Sequence, residues 1–266
     1  MLKKLHFVSL LVTLFGVLVF LASCGKQSKT VKIGVVGTQD QQIWESVAKK
    51  VKKQDNINLK ITTFTDYNQP NRALVDGDID LNAFQSYNFQ TAWNQKNHTS
   101  IVAIGNTYFQ PLGLYSKKIK KLADLKENAK IAIPNDAANE TRALDLLQDA
   151  GLIKLNSKGL VTPKNVVKNK LNLQFSTLDA AQTPRSLTSV DAAVINGNYA
   201  ASAKISLKSA LYREHLKNGG QYINVISALK KNKNNATYKK IVKAYQTAET
   251  KKNIQKYYKG NTLPAW

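Results

Sequence analysis

The sequence predicts an α/β protein of two lobes. Short runs of β-branched and aliphatic residues alternate along the chain with segments in which apolar residues recur at helical spacing. Two series of this kind follow each other without a Pro/Gly/Ser-rich linker between them. Repeated strand-helix order favours a parallel-type sheet in each lobe, covered by helices on both faces, with strands that cross between the lobes.

The first series accounts for lobe 1, over residues 31–110. A β-rich run over 31–37 ends at a glycine, and a helix is predicted over 41–53, where apolar residues recur at helical intervals. Alternation predicts a second strand, and an acidic turn separates a short helix from a third strand. The remaining elements of this series are predicted at 57–64 (strand), 71–75 (helix), 79–84 (strand), 88–96 (helix) and 100–104 (strand).

The second series accounts for lobe 2, over residues 111–221. A helix beginning at 122–125, a strand over 130–133 stopped by proline, an amphipathic helix over 139–150, and strands over 171–175 and 192–195 are predicted in that order. Residues 222–266 then hold a return strand and one or two lysine-rich helices over 236–258, which complete lobe 1. Strand ends from both lobes would meet at a cleft, where such proteins bind their ligands.

The pattern over residues 1–23 predicts an export signal. A charge-free, mostly apolar run follows Lys3 and Lys4 and ends at Cys24, the sole cysteine. The run Leu21-Ala22-Ser23-Cys24 resembles a bacterial lipobox, which implies cleavage before Cys24 and lipidation of its thiol, with residues 24–30 as a short tether. The alternative is a transmembrane anchor, for which the run is at the short end of the required length of about 17 to 25 residues. We expect a protein held at the cell membrane on its extracytoplasmic face.

The chain is strongly basic, with 39 Lys and Arg against 17 Asp and Glu in 266 residues and a net charge of +22. Its hydrophobic content of 43% excludes a disordered tail. Only four of the cations are arginines, which argues against a nucleic-acid partner because lysine lacks the planar fork that reads phosphates and bases. The lysines indicate a surface suited to anionic surroundings, and a lysine-rich adhesion or scaffold protein is the alternative class.

The sequence offers no pattern for catalysis. Beyond the export signal, His98 and His215 lie in lysine- or asparagine-rich contexts without metal-ligand spacing, and neither a nucleophile elbow nor a phosphate-binding glycine motif occurs. We therefore expect no enzyme activity, no metal and no cofactor.

Polar and aromatic residues instead cluster after the predicted strands, at 66–71, 82–86, 105–108, 134–136 and 195–199. Arg142 follows on a helix, and Tyr222 and Asn224 lie at the return strand. An arginine can bind a carboxylate through two hydrogen bonds, amide oxygens can accept from an ammonium group, and aromatic rings can enclose an apolar chain. This set predicts a small zwitterionic ligand with an apolar side chain.

Each of these residues also has a structural interpretation. Arg142 could be a solvated cation that pairs with Asp145 three positions further along the helix. Tyr67 and Phe84 could be core residues at strand ends, and the asparagines could form turns.

The order of motifs from about residue 30 to Trp266 resembles the NlpA-type, methionine-binding lipoproteins of ABC importers. The motifs that carry the resemblance are Phe64-Thr65-Asp66-Tyr67, Pro70-Asn71, Gly77-Asp78-Ile79-Asp80, Asn82-Ala83-Phe84-Gln85, Gly105-Asn106-Thr107, Pro134-Asn135-Asp136, Pro184-Arg185-Ser186-Leu187 and Ala193-Val194-Ile195-Asn196. The resemblance implies a type II periplasmic-binding-protein fold with two crossover strands and a ligand cleft between the lobes. It also implies a permease with its ATPase as partners, and we expect the binding protein to be a monomer.

Site residues are implied by the same resemblance. Tyr67 and Phe84 would hold a thioether chain, Arg142 would bind the carboxylate, and Asn196 would contact the backbone atoms of the amino acid. Tyr222 and Asn224 would belong to the return strand.

One position departs from the family pattern. Ser86, which stands where methionine binders commonly have a histidine, and Phe89, three residues later, are also expected to line the site. The expected ligand is L- or D-methionine, and the alternative within the class is another amino acid or a short methionine-containing dipeptide.

Overall fold

The computed structural model describes residues 28–215 and 219–266. The predicted signal peptide, Cys24 and most of the tether lie outside these ranges. Within them, no helix has both the length and the apolar character needed to cross a membrane.

Strands and helices alternate along the described chain. The strands are β1 (Lys29–Val36), β2 (Ile57–Phe64), β3 (Leu81–Ser86), β4 (Ile101–Phe109), β5 (Gly113–Tyr115), β6 (Lys130–Pro134), β7 (Ile153–Leu155), β8 (Val166–Asn169), β9 (Gln174–Leu178), β10 (Ala192–Ile195), β11 (Tyr212–Arg213), β12 (Ile223–Leu229) and β13 (Leu263–Pro264). The helices are α1 (Thr38–Asp55), α2 (Gln69–Asp76), α3 (Tyr87–Asn97), α4 (Ala137–Asp149), α5 (Thr183–Ser186), α6 (Gly197–Ser202), α7 (Gly219–Tyr222), α8 (Ala236–Tyr245) and α9 (Ala248–Tyr257).

The first sheet has the strand order β13-β4-β12-β3-β1-β2. Strand β1 pairs in parallel with β2 and β3, as the repeated strand-helix order predicts. The return strand β12 lies between β3 and β4 and runs antiparallel to both. The expectation of a parallel-type sheet was therefore wrong for the part of the first sheet that contains β12. The reason is topological, because β12 enters the sheet from the second lobe, at the end where the other strands leave.

The second sheet has the order β11-β5-β10-β6-β9. Strands β10, β6 and β9 are parallel, whereas β5 pairs antiparallel with β10 and β11. The chain passes from the first sheet to the second between Phe109 and Gly113 and returns between Arg213 and Ile223. The fold is therefore the two-lobed α/β architecture with two crossings that the sequence predicts.

Each lobe has its own apolar core. In the first lobe, Trp44 of α1 stacks on Tyr245 of α8 with ring centroids 4.7 Å apart, which fixes the C-terminal helices against the lobe that begins the chain. In the second lobe, the buried face of α4 includes Ala143, Leu144 and Leu147 at the spacing that predicted the helix. A third apolar cluster joins the two lobes at the cleft.

Two predicted elements differ from the structure. The helix expected at 122–125 is a single 3₁₀ turn, Leu122–Asp124, because Leu125 is already extended. The strand expected at 171–175 begins later, at Gln174, because Asn172 adopts a left-handed conformation with φ of 48° and ends a turn there. The region 236–258, predicted as one or two helices, forms two, divided at Gln246 and Thr247.

Candidate ligand site between the lobes

A narrow cavity of about 30 Å³ lies at the junction of the lobes. Side chains from both lobes and from the first crossing surround it: Tyr67, Phe84, Gln85, Ser86, Phe89, Gln110, Asn139, Arg142, Asn196, Gly197, Asn198 and Asn224. Seven of the eight residues predicted for the site are in this set. The eighth, Tyr222, ends helix α7 just before the return strand and lies behind Arg142, with its ring centroid 4.4 Å from the guanidinium carbon.

Aromatic rings form the apolar part of the site. Tyr67 follows β2, Phe84 lies in β3 and Phe89 lies in the first turn of α3. The ring centroids of these three residues are 5.6 to 5.9 Å apart. Tyr199 of the second lobe adds a fourth ring, 4.8 Å from that of Tyr67. Rings at these separations make favourable contacts with one another and present faces and edges to an apolar chain.

Hydrogen bonds close the two lobes around the cavity. The Tyr67 hydroxyl donates to Oδ1 of Asn198 at 2.5 Å, and the Tyr199 hydroxyl donates to the backbone carbonyl of Thr65 at 3.3 Å. Burial raises the pKa of Tyr67 well above its usual range. Its hydroxyl therefore stays protonated and remains a donor at neutral pH.

Arg142 lies on the buried face of α4 and is 6% exposed. Its Nε donates to Oε1 of Glu214 at 2.9 Å, and Nη2 donates both to Oε2 of Glu214 and to the backbone carbonyl of Gln110. The interpretation of Arg142 as a solvated cation paired with Asp145 is wrong, because the guanidinium is buried and Glu214 is its partner. Among the described residues Nη1 donates no hydrogen bond, so this group remains for a ligand.

Asn196 supplies an acceptor in the same cavity. Its Nδ2 donates to Oδ1 of Asn139 at 2.9 Å, and Asn139 in turn donates to the carboxylate of Asp136, the N-cap of α4. This chain of bonds fixes the amide orientation of Asn196. Its Oδ1 is buried and has no partner among the described residues. A buried acceptor without a donor is costly, and a ligand ammonium group would satisfy it.

The carboxylate of Asp136 is the last acceptor in this series of hydrogen bonds. Burial raises the pKa of Asp136, while the backbone and side-chain amides of Asn139 oppose that rise. Two hydrogen bonds of 3.0 Å from the Asn139 side chain hold both carboxylate oxygens.

Ser86 has a local structural role as well as a place in the cavity wall. It is the N-cap of α3, and its hydroxyl accepts from the backbone N–H of Phe89 at 3.2 Å. Serine is among the preferred residues for this position. Histidine, which the resemblance leads us to expect at this position, lacks this short hydroxyl acceptor.

Three buried amides support the wall from behind. Asn71, Asn82 and Gln85 exchange hydrogen bonds of 2.8 to 3.0 Å with one another. Such a mutually satisfied network holds β3 against α2 and sets the position of Gln85 at the cavity.

Several residues of the site were not among the predicted ones. Asn198 and Tyr199 lie two and three positions after Asn196, within the polar and aromatic cluster at 195–199, so the sequence contained a signal for them. Gln110 and Glu214 carried none, since their roles depend on how the two crossings meet. Gly197 permits the close approach of α6 to the first crossing, because a Cβ there would lie 2.6 Å from Cγ of Gln110.

Two α/β lobes that enclose a cavity with an arginine, amides and aromatic rings define a two-lobed substrate-binding protein. No cluster of potential metal ligands occurs among the described residues. Comparison with known proteins identifies the family: residues 31–266 match the model of the NlpA lipoproteins, and the chain belongs to that family.

Relatives and solved structures agree with this membership. The chain is 37% identical over 252 residues to the probable D-methionine-binding lipoprotein MetQ of Vibrio cholerae, covering 92% of this chain and 93% of that protein. The substrate-binding protein of a methionine transporter from Streptococcus pneumoniae is 44% identical, with a TM-score of 0.85 over 89% of this chain and 96% of that one. A nutrient-binding protein of Burkholderia cenocepacia, bound to methionine, is 42% identical with a TM-score of 0.86, over 89% of this chain and 100% of that one.

Membership carries a general role. The family consists of membrane-anchored, extracytoplasmic lipoproteins that bind a small molecule and hand it to a transporter, which is a role of binding and not of catalysis.

Proposed function

We propose that this protein binds methionine, as the L or D isomer, in the cavity between its lobes and delivers it to an ABC permease with its ATPase. One observation carries the proposal: a guanidinium group, a buried amide oxygen without a partner and a cluster of aromatic rings face the same enclosed space. These groups match the carboxylate, the ammonium and the thioether chain of one amino acid. The names of the related proteins support methionine as that amino acid.

In this proposal Arg142 binds the ligand carboxylate through Nη1, and Oδ1 of Asn196 accepts from the ammonium group. Tyr67, Phe84 and Phe89 contact the thioether chain, with Ser86 and Asn224 in the wall of the cavity. Tyr222 stacks on Arg142 without touching the ligand. Opening of the lobes is required for the ligand to enter the cavity.

Cys24 is the proposed site of lipidation, which would tether a monomeric binding protein to the outer side of the cell membrane. Metabolic labelling with palmitate tests this part separately. We expect label in the wild-type chain and none in Cys24→Ala, and equal labelling of the two would refute the assignment.

Ligand binding is tested by urea unfolding with a panel of L- and D-amino acids and methionine-containing dipeptides. A ligand at 100 times its Kd raises the free energy of unfolding by about 2.7 kcal/mol. We expect this shift with methionine. A shift with another amino acid or dipeptide alone would correct the ligand and keep the class. No shift with any of them, together with salt-sensitive binding to anionic polymer, would favour the adhesion alternative.

A further inference from the structure

Glu214 forms a buried ion pair with the arginine of the site. The side chains of Arg142 and Glu214 are 7% and 5% exposed, and two hydrogen bonds join the Nε–Nη2 edge of the guanidinium to the two carboxylate oxygens. Glu214 does not line the cavity itself. It therefore acts on a ligand only through Arg142.

The pair is fixed to the first crossing between the lobes. The backbone N–H of Leu112 donates to Oε2 of Glu214 at 3.1 Å, and the backbone N–H of Glu214 donates to the Leu112 carbonyl at 3.0 Å. Arg142 holds the same crossing through its bond to the carbonyl of Gln110. These contacts leave little rotational freedom for the guanidinium. Because Nε and Nη2 bond Glu214, Glu214 determines that Nη1 is the nitrogen left for the cavity.

The pair also sets the charge of the site. Among the described residues that line the cavity, Arg142 is the one with a charged side chain, and Glu214 balances it. A zwitterion adds no net charge to this balanced site. An anion of the same shape would leave one negative charge in excess, which is unfavourable in a buried place.

We propose that Glu214 is a positioning and specificity-determining residue, which orients Arg142 and makes the site selective for zwitterionic over anionic ligands. This inference rests on the proposed function. Removal of the negative charge reverses the balance: with Gln at position 214, a zwitterion leaves one positive charge in excess, whereas an anion leaves none. A merely structural role would weaken the binding of both ligands alike.

The test compares two ligands of one skeleton by calorimetry at pH 7. These are L-methionine and 2-hydroxy-4-(methylthio)butanoate, which has a hydroxyl in place of the ammonium group and is an anion. We expect the ratio of their Kd values, which favours methionine in the wild type, to shrink at least about tenfold in Glu214→Gln. An unchanged ratio in a folded Glu214→Gln variant would overturn the proposal.

Two further variants complete the test. Glu214→Asp keeps the charge and should keep the ratio within about threefold of the wild type, whatever happens to absolute affinity. A collapse of the ratio in this variant would contradict the proposal even if Glu214→Gln does not fold. Glu127→Gln is the matched control, because it makes the same change at an exposed carboxylate of the second lobe that lines neither the cavity nor the surroundings of the ion pair, and it should leave the ratio unchanged. Failure of the wild type to bind methionine would instead refute the proposed function on which the inference rests.

Discussion

The hydroxyl of Tyr67 in the first lobe donates a hydrogen bond of 2.5 Å to Oδ1 of Asn198 in the second. Tyr67 also contacts Phe84 and Phe89 with its ring, so one side chain contributes both to the cavity wall and to the contact between the lobes. Closure of the lobes and enclosure of a ligand are therefore coupled through this residue.

Replacement of Tyr67 by phenylalanine removes the hydrogen bond and keeps the ring. The closed state then contains an unsatisfied acceptor on Asn198, at a cost of about 1 to 3 kcal/mol, while an open state is unaffected. We expect the affinity for methionine to fall about tenfold or more, measured by calorimetry, with little change in the stability of the unliganded protein.

Tyr87→Phe is the matched control for this variant. The Tyr87 hydroxyl donates to Oδ1 of Asn106 at 2.7 Å, but both residues belong to the first lobe and Tyr87 is exposed. Affinity should stay within about twofold of the wild type. Equal losses in both variants would show that the contact between Tyr67 and Asn198 does not contribute to closure.

Arg142→Ala should lose both binding and stability. The change affects the fold as well as binding, because Arg142 forms a buried ion pair with Glu214. Removal of one partner leaves a buried carboxylate uncompensated, at a cost of about 3 to 5 kcal/mol in the free energy of unfolding. Urea unfolding measures the loss of stability, and calorimetry should detect no methionine binding.

The double variant Arg142→Met, Glu214→Leu separates the two effects. Apolar side chains of similar size leave no buried charge, so most of the stability lost in Arg142→Ala should return while binding stays absent. If the double variant were as unstable as Arg142→Ala, the cost would lie in packing and not in the unpaired carboxylate.

Much of the fold follows from local sequence patterns. Helix α1 buries one face against the sheet, so Trp44, Val47 and Val51 recur at helical spacing and predict it. Strand β2 buries alternate residues at its start, and this alternation predicts the strand. The direction of β12 does not follow from any local pattern, since it is set by where the chain re-enters the first lobe. The late start of β9 depends on a left-handed asparagine, Asn172, that a run of apolar residues does not reveal.

The site is predictable to the extent that its residues follow strands. Phe84, Ser86 and Asn196 lie at strand ends that converge, and the cavity contains them. Glu214 and Gln110 could not be predicted, because the first pairs with a residue 72 positions away and the second contributes a backbone carbonyl. Long-range pairings of this kind depend on how the two crossings meet.

Ser86→Ala tests the helix cap separately from the ligand. Loss of the bond from the Phe89 N–H to the Ser86 hydroxyl should lower the free energy of unfolding by about 1 kcal/mol. Affinity for methionine should change less than about threefold, because the bond is local to α3. A large loss of affinity with unchanged stability would instead make Ser86 a direct ligand contact. Thr247→Ala, at the N-cap of α9, is a control for capping without a cavity.

Asp40 is a buried carboxylate in the first turn of α1 and is not among the residues that line the cavity. Its Oδ2 accepts from the Tyr108 hydroxyl at 2.7 Å, while Oδ1 has no partner among the described residues. Burial raises the pKa of Asp40 from 3.8 to about 7, against the effect of its hydrogen bonds.

The raised pKa of Asp40 makes stability depend on pH. Between about pH 4 and pH 7 the folded state holds a proton on Asp40 that the unfolded state has lost. The contribution of Asp40 is therefore greatest below pH 4 and declines as the pH rises to 7, by up to about 4 kcal/mol at 1.36 kcal/mol per pH unit. Urea unfolding of the wild type and Asp40→Asn at pH 4, 5.5 and 7 isolates the contribution of Asp40 to the free energy of unfolding, because other carboxylates titrate alike in both proteins. We expect the stability difference, wild type minus variant, to fall steadily over this range, and a constant difference would mean that Asp40 is ionised in the folded protein throughout.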